Sequence, residues 1–300
     1  MRSSANLTRS MLTLNQSCKH CPSCLEGYRQ YCAQARGFAY HDLDQGAFGD
    51  YRIIDADFAY PIPDSIPSLH VGPLMCAGAS VYEALHAAGT RPSDRVGVVG
   101  LGGLGSMAII FANAMGCAVT AISGSGASGT DKVDSVFELG ADEFRTAKEP
   151  NVALRRKDPS KDATHPVLKD ETLAQNINVL LICANGIPDL ATLFPLLARR
   201  AVIVFMTIQE QPLVIPYMPF ILPGHKVRSE VRERIELMHH QIIASTESSR
   251  RNTINMLAFV ARHRIVPPIE RFPMTADGLA EAFERLESGK MRYRGVFEAP

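Results

Sequence analysis

Residues 95–105, RVGVVGLGGLG, decide the fold, because they read as a strand, a tight turn and the start of a helix. Val96 to Val99 form an apolar run, and three glycines at G-x-G-x-x-G spacing follow it. Glycines let the backbone turn sharply and approach a pyrophosphate, whose charge is then stabilised by the N-terminus of the next helix. A glycine turn in another kind of α/β protein is the alternative. The predicted phosphate-binding turn consists of Gly100, Leu101, Gly102, Gly103, Leu104 and Gly105.

The context of the turn supports a dinucleotide site. A second apolar strand, from Ala118 to Ser123, ends roughly 20 residues beyond the turn, where such a unit contacts the ribose. An acidic residue there would bind both ribose hydroxyls, but Ser123 occupies the position. Ser125 and the neighbouring glycines can donate to a phosphate, and Lys132 adds a positive charge. This pattern favours NADP(H) over NAD(H), and the alternative is a Gly/Ser loop that contacts nothing.

The composition excludes several function classes. The 300 residues are 46% hydrophobic and 21% charged, with 31 basic and 31 acidic side chains. This balance gives no electrostatic attraction to nucleic acid, and no apolar run is long enough for a membrane span. Residues 1–17 weakly resemble a mitochondrial presequence, but an untargeted N-terminus and a cytoplasmic location are favoured. Neither nucleic acid nor a membrane is therefore expected as a partner.

Four of the seven cysteines fall within residues 18–32. Short Cys-x2-Cys spacings direct thiolates to one point, and a fourth sulfur completes a tetrahedron around zinc. A site with four protein ligands has no open position, so this zinc would be structural. Two disulfides are the alternative, but they need an oxidising compartment and no secretory signal precedes them. The predicted zinc ligands are Cys18, Cys21, Cys24 and Cys32.

The rest of the chain alternates between strand and helix patterns, which predicts an α/β fold with a doubly wound parallel sheet. Short antiparallel strands are expected between residues 46 and 63, and the polar stretch 145–175 is expected to be a surface connection. An amphipathic helix is predicted at 227–240, and a final helix is predicted to begin after Thr275. Further strands are predicted at 178–183, 201–206, 241–245 and 291–297, with helices at 104–115, 189–197 and 248–262.

Six motifs in a fixed order carry a family resemblance: the cysteine segment 18–32, GAFGDY at 46–51, PLMCAGASVY at 73–82, GLGGLG at 100–105, LGADEF at 139–144 and RYRGVFE at 292–298. Together they resemble the zinc-dependent medium-chain alcohol dehydrogenases, and most nearly the NADP-dependent cinnamyl alcohol dehydrogenase type with its fungal relatives. The resemblance implies a partial GroES-like β domain with a zinc lobe at 1–72, a Rossmann NADP-binding domain at 73–266, and a segment at 267–300 that returns to the first domain. It also implies a homodimer that assembles through the Rossmann sheet.

The resemblance assigns further site residues. Cys76 matches a ligand of the family's catalytic zinc, although a lone cysteine would otherwise be read as a buried apolar residue. Ser80 matches a threonine near the nicotinamide. Ser245 and Thr246 match a segment that lines the cofactor, and Arg294 matches a basic position near the phosphate. The implied reaction is hydride transfer between NADP(H) and an alcohol or aldehyde.

The chain also departs from the family. The remaining catalytic zinc ligands of the family precede the structural cysteines, yet residues 1–17 contain no cysteine, histidine or acid. His41 and His70 match no family ligand. The sequence therefore reads as N-terminally truncated, with an insertion at 227–240. Two hypotheses follow: an active alcohol dehydrogenase, or a catalytically impaired remnant that binds NADP and zinc. A zinc-independent quinone or enoyl reductase is disfavoured, because such enzymes usually lack the four cysteines.

Overall fold

The computed structural model describes residues 10–12, 15–37, 41, 43, 54–123, 130–146, 153–158, 163–166, 177–186, 188–215, 240–245 and 247–299. The first part of the strands predicted between residues 46 and 63, up to residue 53, lies outside these residues. All of the helix predicted at 227–240 except His240 also lies outside them, as do Ser125 and Thr246. In the described part, no helix is both long and apolar enough to cross a membrane.

The chain divides into two compact units. We call residues 84–246 the sheet unit, and residues 1–83 with 247–300 the split unit. The predicted domain boundaries at 72/73 and 266/267 stay a prediction.

The sheet unit contains an eight-stranded sheet in the order β12-β11-β10-β5-β6-β7-β8-β9. Its first six strands are parallel, which confirms the predicted doubly wound α/β fold. The strands are β5 (Arg95–Val99), β6 (Ala118–Ser123), β7 (Glu143–Thr146), β8 (Ala153–Asp158), β9 (Ala163–Pro166), β10 (Ile177–Ile182), β11 (Leu197–Phe205) and β12 (Gln241–Ala244). The helices are α4 (Gly103–Ala114), α5 (Thr130–Glu138) and α6 (Leu190–Leu193).

The central strands are buried because helical segments leave little of a parallel sheet exposed. Val96, Val98, Leu180 and Leu181 have no exposed surface. Continuous apolar runs of this kind predict buried parallel strands, whereas alternating apolar and polar residues would predict half-exposed ones. The predicted bounds of β6 agree with the structure at both ends.

Two predictions in the sheet unit are wrong. The stretch 145–175 is not only a surface connection, since β8 and β9 extend the sheet by antiparallel pairing beyond β7. Backbone groups at the open edge of β7 are satisfied in this way, and a polar sequence does not reveal it. The helix predicted at 189–197 ends at Leu193, because Pro195 has no N–H to donate to a helical carbonyl. β11 consequently begins at Leu197, before the predicted start at 201.

The split unit contains short strand pairs and the remaining helices. β1 (Ser10–Leu12) pairs with β4 (Ala59–Pro61), and β2 (Asn15–Gln16) pairs with β3 (Arg36–Gly37), both antiparallel. β13 (Glu270–Pro273) is parallel to β14 (Gly295–Glu298). The helices are α1 (Pro22–Leu25), α2 (Val71–Pro73), α3 (Ala79–Ala87), α7 (Arg250–His263) and α8 (Ala276–Glu287). Of α3, residues up to Glu83 belong to the split unit and the rest to the sheet unit.

Side-chain caps fix the start of the last helix. The Thr275 hydroxyl accepts a hydrogen bond from the Gly278 N–H at 3.2 Å, which confirms Thr275 as the predicted N-cap of α8.

Between α2 and α3 the helix widens into one π-helical turn, Leu74–Gly78. Single π turns of this kind often occur at functional positions.

Candidate cofactor and metal sites

Three glycines of the 100–105 turn, Gly100, Gly102 and Gly105, differ in what an added side chain would meet. Gly100 has a φ of +92°, which a side chain would strain, and a Cβ there would come within 2.6 Å of the Ala184 backbone. A Cβ on Gly105 would lie 1.8 Å from the Gly100 carbonyl oxygen, so only glycine lets α4 approach the turn. Gly102 has nothing within 4 Å of an added Cβ. The open space above Gly102 is the position where a dinucleotide motif admits a pyrophosphate.

The first turn of α4 supplies the donors for such a group. Helix α4 begins at Gly103, and Gly102 is its N-cap without a side chain to occupy the free N–H groups. Leu101 and Leu104 are half-buried. No acidic residue lies in the first turn of α4, so the positive end of the helix dipole is available to an anion.

The predicted ribose end of the site lies beside this turn. Gly100 N–H donates to the Ile122 carbonyl at 3.0 Å, and Ser123 is the next residue and the last of β6. Lys132 lies in α5, and its contact with the phosphate stays a prediction. Ser245 is buried directly after β12. Because β5, β6 and β12 are parallel, the turn, Ser123 and Ser245 all lie at the carboxyl edge of the sheet.

Three more predicted residues lie in the split unit. Ser80 is half-buried in α3, and Cys76 is exposed in the π-helical turn before it. Arg294 precedes β14, and its Nε is buried with no hydrogen-bond partner among the described residues. A guanidinium with a free donor is able to bind an anion. The roles of Ser80, Ser245 and Arg294 in cofactor binding stay predictions.

The structure brings the four predicted zinc cysteines together. The sulfurs of Cys18, Cys21, Cys24 and Cys32 all lie within 4.8 Å of one another, and those of Cys18 and Cys24 are 3.9 Å apart. Four sulfurs bound tetrahedrally to one zinc lie about 3.8 Å apart, given a Zn–S distance of about 2.3 Å. All four cysteines are free thiols, so the disulfide alternative is not what the structure shows. The donor set and its spacing fit a structural Zn²⁺.

Backbone groups around the cluster favour thiolates. The Cys21 N–H donates to the Cys18 sulfur at 3.3 Å, and the Cys18 N–H donates to the Cys32 sulfur at 3.5 Å. Hydrogen bonds from the backbone, that of His20 foremost, lower the pKa of Cys18 to about 6. The backbone N–H of Cys24 lowers the pKa of Cys21, but burial and the neighbouring thiols raise it to about 12. A bound metal ion would remove this difference in pKa between neighbouring thiols, since each sulfur would then be a deprotonated ligand.

A residue that the sequence did not single out connects this cysteine segment to the rest of its unit. Lys19 has a φ of +72°, and its ammonium pairs with Asp55 and, at 2.8 Å, with Asp57. These carboxylates raise the pKa of Lys19. A lysine beside a predicted zinc ligand carries no sequence signal for this role, because its partners lie 36 and 38 positions away.

Cys76, the predicted ligand of a catalytic zinc, has no companion ligands among the described residues. Among the described residues, only the four-cysteine cluster brings three or more His, Cys, Asp or Glu side chains within reach of one ion. The His41 ring nitrogen accepts from the Gly37 N–H at 3.2 Å, and the His70 ring lies 2.8 Å from the Pro267 carbonyl. Neither histidine joins Cys76 in a cluster. The role of Cys76 as a catalytic zinc ligand stays a prediction.

Comparison with known proteins decides the family. The chain is 32% identical over 291 residues to cinnamyl alcohol dehydrogenase 8 of Arabidopsis thaliana, which covers 95% of the chain and 71% of that relative. The chain belongs to the zinc-dependent medium-chain alcohol dehydrogenase family. No protein-family model matches it.

Further similar proteins and solved structures are also alcohol dehydrogenases. The NADP-dependent alcohol dehydrogenase C of Mycobacterium tuberculosis is 27% identical over 288 residues, covering 94% of the chain and 72% of that protein. Among solved structures, a cinnamyl alcohol dehydrogenase of Sorghum bicolor has a TM-score of 0.73 at 28% identity, covering 95% of the chain and 72% of that structure. A cinnamyl alcohol dehydrogenase of Helicobacter pylori complexed with NADP(H) shares the fold, with a TM-score of 0.69 at 22% identity, over 95% of the chain and 73% of that structure.

Proposed function

We propose that this member of the alcohol dehydrogenase family binds NADP(H) at the 100–105 turn and transfers a hydride between that cofactor and an alcohol or aldehyde. The observation that carries the proposal is the division of steric roles among Gly100, Gly102 and Gly105 at the carboxyl edge of a parallel sheet. The names of relatives support it, since one is an NADP-dependent alcohol dehydrogenase. A further relative structure holds NADP(H).

In this proposal the chain's own residues bind and orient the cofactor. The N-terminal amides of α4 hold the pyrophosphate, and Ser123 leaves room for a 2′-phosphate that an acidic residue would repel. Lys132 and Arg294 supply positive charge to that phosphate, and Ser80 and Ser245 line the nicotinamide half. The bound nicotinamide supplies the hydride chemistry.

The four cysteines hold a structural zinc in this proposal. With all four positions taken by protein sulfurs, the ion has no site for substrate and serves to fix the loop that carries them. Reduced thiols suit the cytoplasm, which we propose as the location of the chain. We also propose that the chain forms a homodimer, and sedimentation velocity on the purified protein tests this directly.

A second candidate function is cofactor and zinc binding without hydride transfer. It is supported by Cys76, which is exposed and has no companion ligands within the described part of the chain. A catalytic zinc normally takes three protein ligands and keeps one open position. The two candidates differ in metal content: one zinc per chain supports binding alone, and two support catalysis.

An assay of NADPH oxidation with cinnamaldehyde and with aliphatic aldehydes separates the candidates. The protein must first be shown to be folded and zinc-loaded. Turnover that is lost in Cys76→Ser, and retained in the control Cys117→Ala, supports the dehydrogenase. Cys117 is a suitable control because its thiol is buried in the sheet unit and donates to the Arg91 carbonyl. NADPH binding with no turnover for any aldehyde contradicts hydride transfer by this chain.

A further inference from the structure

The split unit contains a buried carboxylate that the cofactor and metal predictions do not use. Glu83, in α3, is only 6% exposed. One of its oxygens, Oε2, accepts four hydrogen bonds: from Ser249 N–H at 2.9 Å, the Ser249 hydroxyl at 3.0 Å, the Asn252 side-chain amide at 2.9 Å and the Ser248 hydroxyl at 3.3 Å. In the described part of the chain no cation forms a salt bridge with Glu83. Donors alone therefore stabilise its charge.

These donors are the N-terminus of α7. Ser249 is the N-cap of that helix, and its hydroxyl also accepts from the Asn252 N–H at 3.2 Å. The carboxylate therefore lies at the positive end of the α7 dipole and completes the cap from a different helix. Ser248, Ser249 and Asn252 are each no more than 4% exposed. Burial of this kind strengthens the hydrogen bonds and makes them directional.

The position of Glu83 in the chain is informative. The first segment of the split unit ends at Glu83, and its second segment begins at Glu247. Both points at which the chain passes between the units are thus within two residues of this hydrogen-bond network. Ser80 lies three residues before Glu83 on the same helix, and Ser245 lies three residues before Ser248. Ser80 and Ser245 are both predicted to line the nicotinamide half of the cofactor. Each therefore lies three residues before a member of this hydrogen-bond network.

We propose that Glu83 is a positioning residue for the nicotinamide half of the cofactor site. A buried charge is a costly way to join two helices, since apolar packing would stabilise them at least as well. What four bonds to one oxygen provide is a fixed geometry, within the split unit, between the Ser80 turn of α3 and the N-terminus of α7. The inference rests on the proposed function, because it presupposes that the chain binds a nicotinamide dinucleotide.

The test compares two ligands in the variant Glu83→Gln. NADPH contains both halves of the cofactor, whereas adenosine 2′,5′-bisphosphate contains only the adenosine half. We expect NADPH to bind about tenfold more weakly, the effect of one lost charge-assisted hydrogen bond. The bisphosphate should bind as it does to the wild type. The chain contains no tryptophan, so NADPH fluorescence can be followed without a tryptophan background.

A matched control removes a different buried carboxylate. Glu143 is 2% exposed and pairs with Arg145 at 2.5 Å on β7 of the sheet unit. Glu143→Gln should lower the unfolding temperature but leave the ratio of the two affinities unchanged. If Glu83→Gln does not fold, Asn252→Ala removes one donor to Glu83 and should shift the same ratio in the same direction.

The outcomes separate this inference from the proposed function. Equal weakening of both ligands, or no change in either, in a folded Glu83→Gln or Asn252→Ala protein contradicts the positioning role while NADPH binding by the wild type stands. A wild-type protein that binds neither ligand contradicts the proposed function itself, and the positioning role with it.

Discussion

Gly102 and Gly105 offer a test at the scale of single atoms, because a methyl group added to each meets different surroundings. In Gly105→Ala the Cβ would collide with the Gly100 carbonyl oxygen, so α4 must move away from the turn. We expect a loss of stability of roughly 1–3 kcal/mol, as for an overpacked core, together with loss of NADPH binding. Thermal unfolding and NADPH fluorescence measure the two effects.

The companion variant Gly102→Ala separates folding from binding. Nothing lies within 4 Å of its added Cβ, so the unfolding temperature should stay close to that of the wild type. NADPH should nevertheless bind more weakly, because the methyl group fills the space where the pyrophosphate is proposed to lie. Unchanged affinity in Gly102→Ala would place the pyrophosphate elsewhere.

Ser123 carries the prediction of cofactor preference. Replacing it in Ser123→Asp introduces a carboxylate at the end of β6, which repels a 2′-phosphate and can bind ribose hydroxyls. The ratio of NADPH to NADH affinity should fall by at least about tenfold. A repulsion of about 1.4 kcal/mol between the new carboxylate and the 2′-phosphate is enough for this change. The control is Ser123→Ala, which should keep the preference for NADPH. A constant ratio in Ser123→Asp would exclude Ser123 from the ribose site.

The sequence predicted single residues well where only one residue type satisfies the geometry. Gly100 and Gly105 are of this kind, and Thr275 belongs to the few residue types, Ser, Thr, Asp and Asn, whose side-chain oxygen caps a helix. Glu83 and Lys19 were missed, because their partners lie far away in the chain and their residue types are common on surfaces. Pairings between distant polar residues depend on the tertiary fold, which local patterns do not encode.

At the scale of elements, the cysteine segment 18–32 predicts an order of thiol reactivity. In the zinc-free protein at pH 7, Cys18 should react with iodoacetamide well before Cys183. Hydrogen bonds from the backbone of His20 lower the pKa of Cys18 to about 6, so it is mostly thiolate, whereas burial raises the pKa of Cys183 to about 12. The rate at Cys18 should fall as the pH drops below about 6, where the thiolate is protonated.

Peptide mass spectrometry gives the site of alkylation. Zinc added before the reagent should protect Cys18, Cys21, Cys24 and Cys32 together, because each becomes a ligand. Protection of none of the four, at zinc concentrations that saturate the protein, would contradict the metal site.

Strands that are continuous apolar runs could be predicted from the sequence, and strands without such a run could not. The sheet strands β5, β6 and β10 are continuous apolar runs, and their predicted bounds are correct to within one residue. β8 and β9 have no such run, since they form an edge by backbone pairing with β7. The apolar pattern of the sequence therefore predicts the buried strands of this sheet. It does not predict the edge strands, which form by pairing with a neighbouring strand.

At the scale of the whole molecule, zinc is expected to stabilise the split unit more than the sheet unit. The four ligands all lie within residues 18–32, and Lys19 connects that segment to Asp55 and Asp57 of the same unit. Removing zinc with a chelator should increase hydrogen exchange in residues 15–37 and 54–58, while β5 and β10 stay protected. Uniform exchange across both units after chelation would argue against a local structural role.

The central claim is that the glycine turn makes this chain an NADP(H)-binding member of its family. The most direct test is a titration of the wild-type protein with NADPH and with NADH, followed by NADPH or NADH fluorescence at one ionic strength. We predict saturable binding of both, with NADPH bound at least about tenfold more tightly, and loss of both in Gly105→Ala. Failure of the folded wild-type protein to bind either dinucleotide would contradict the claim.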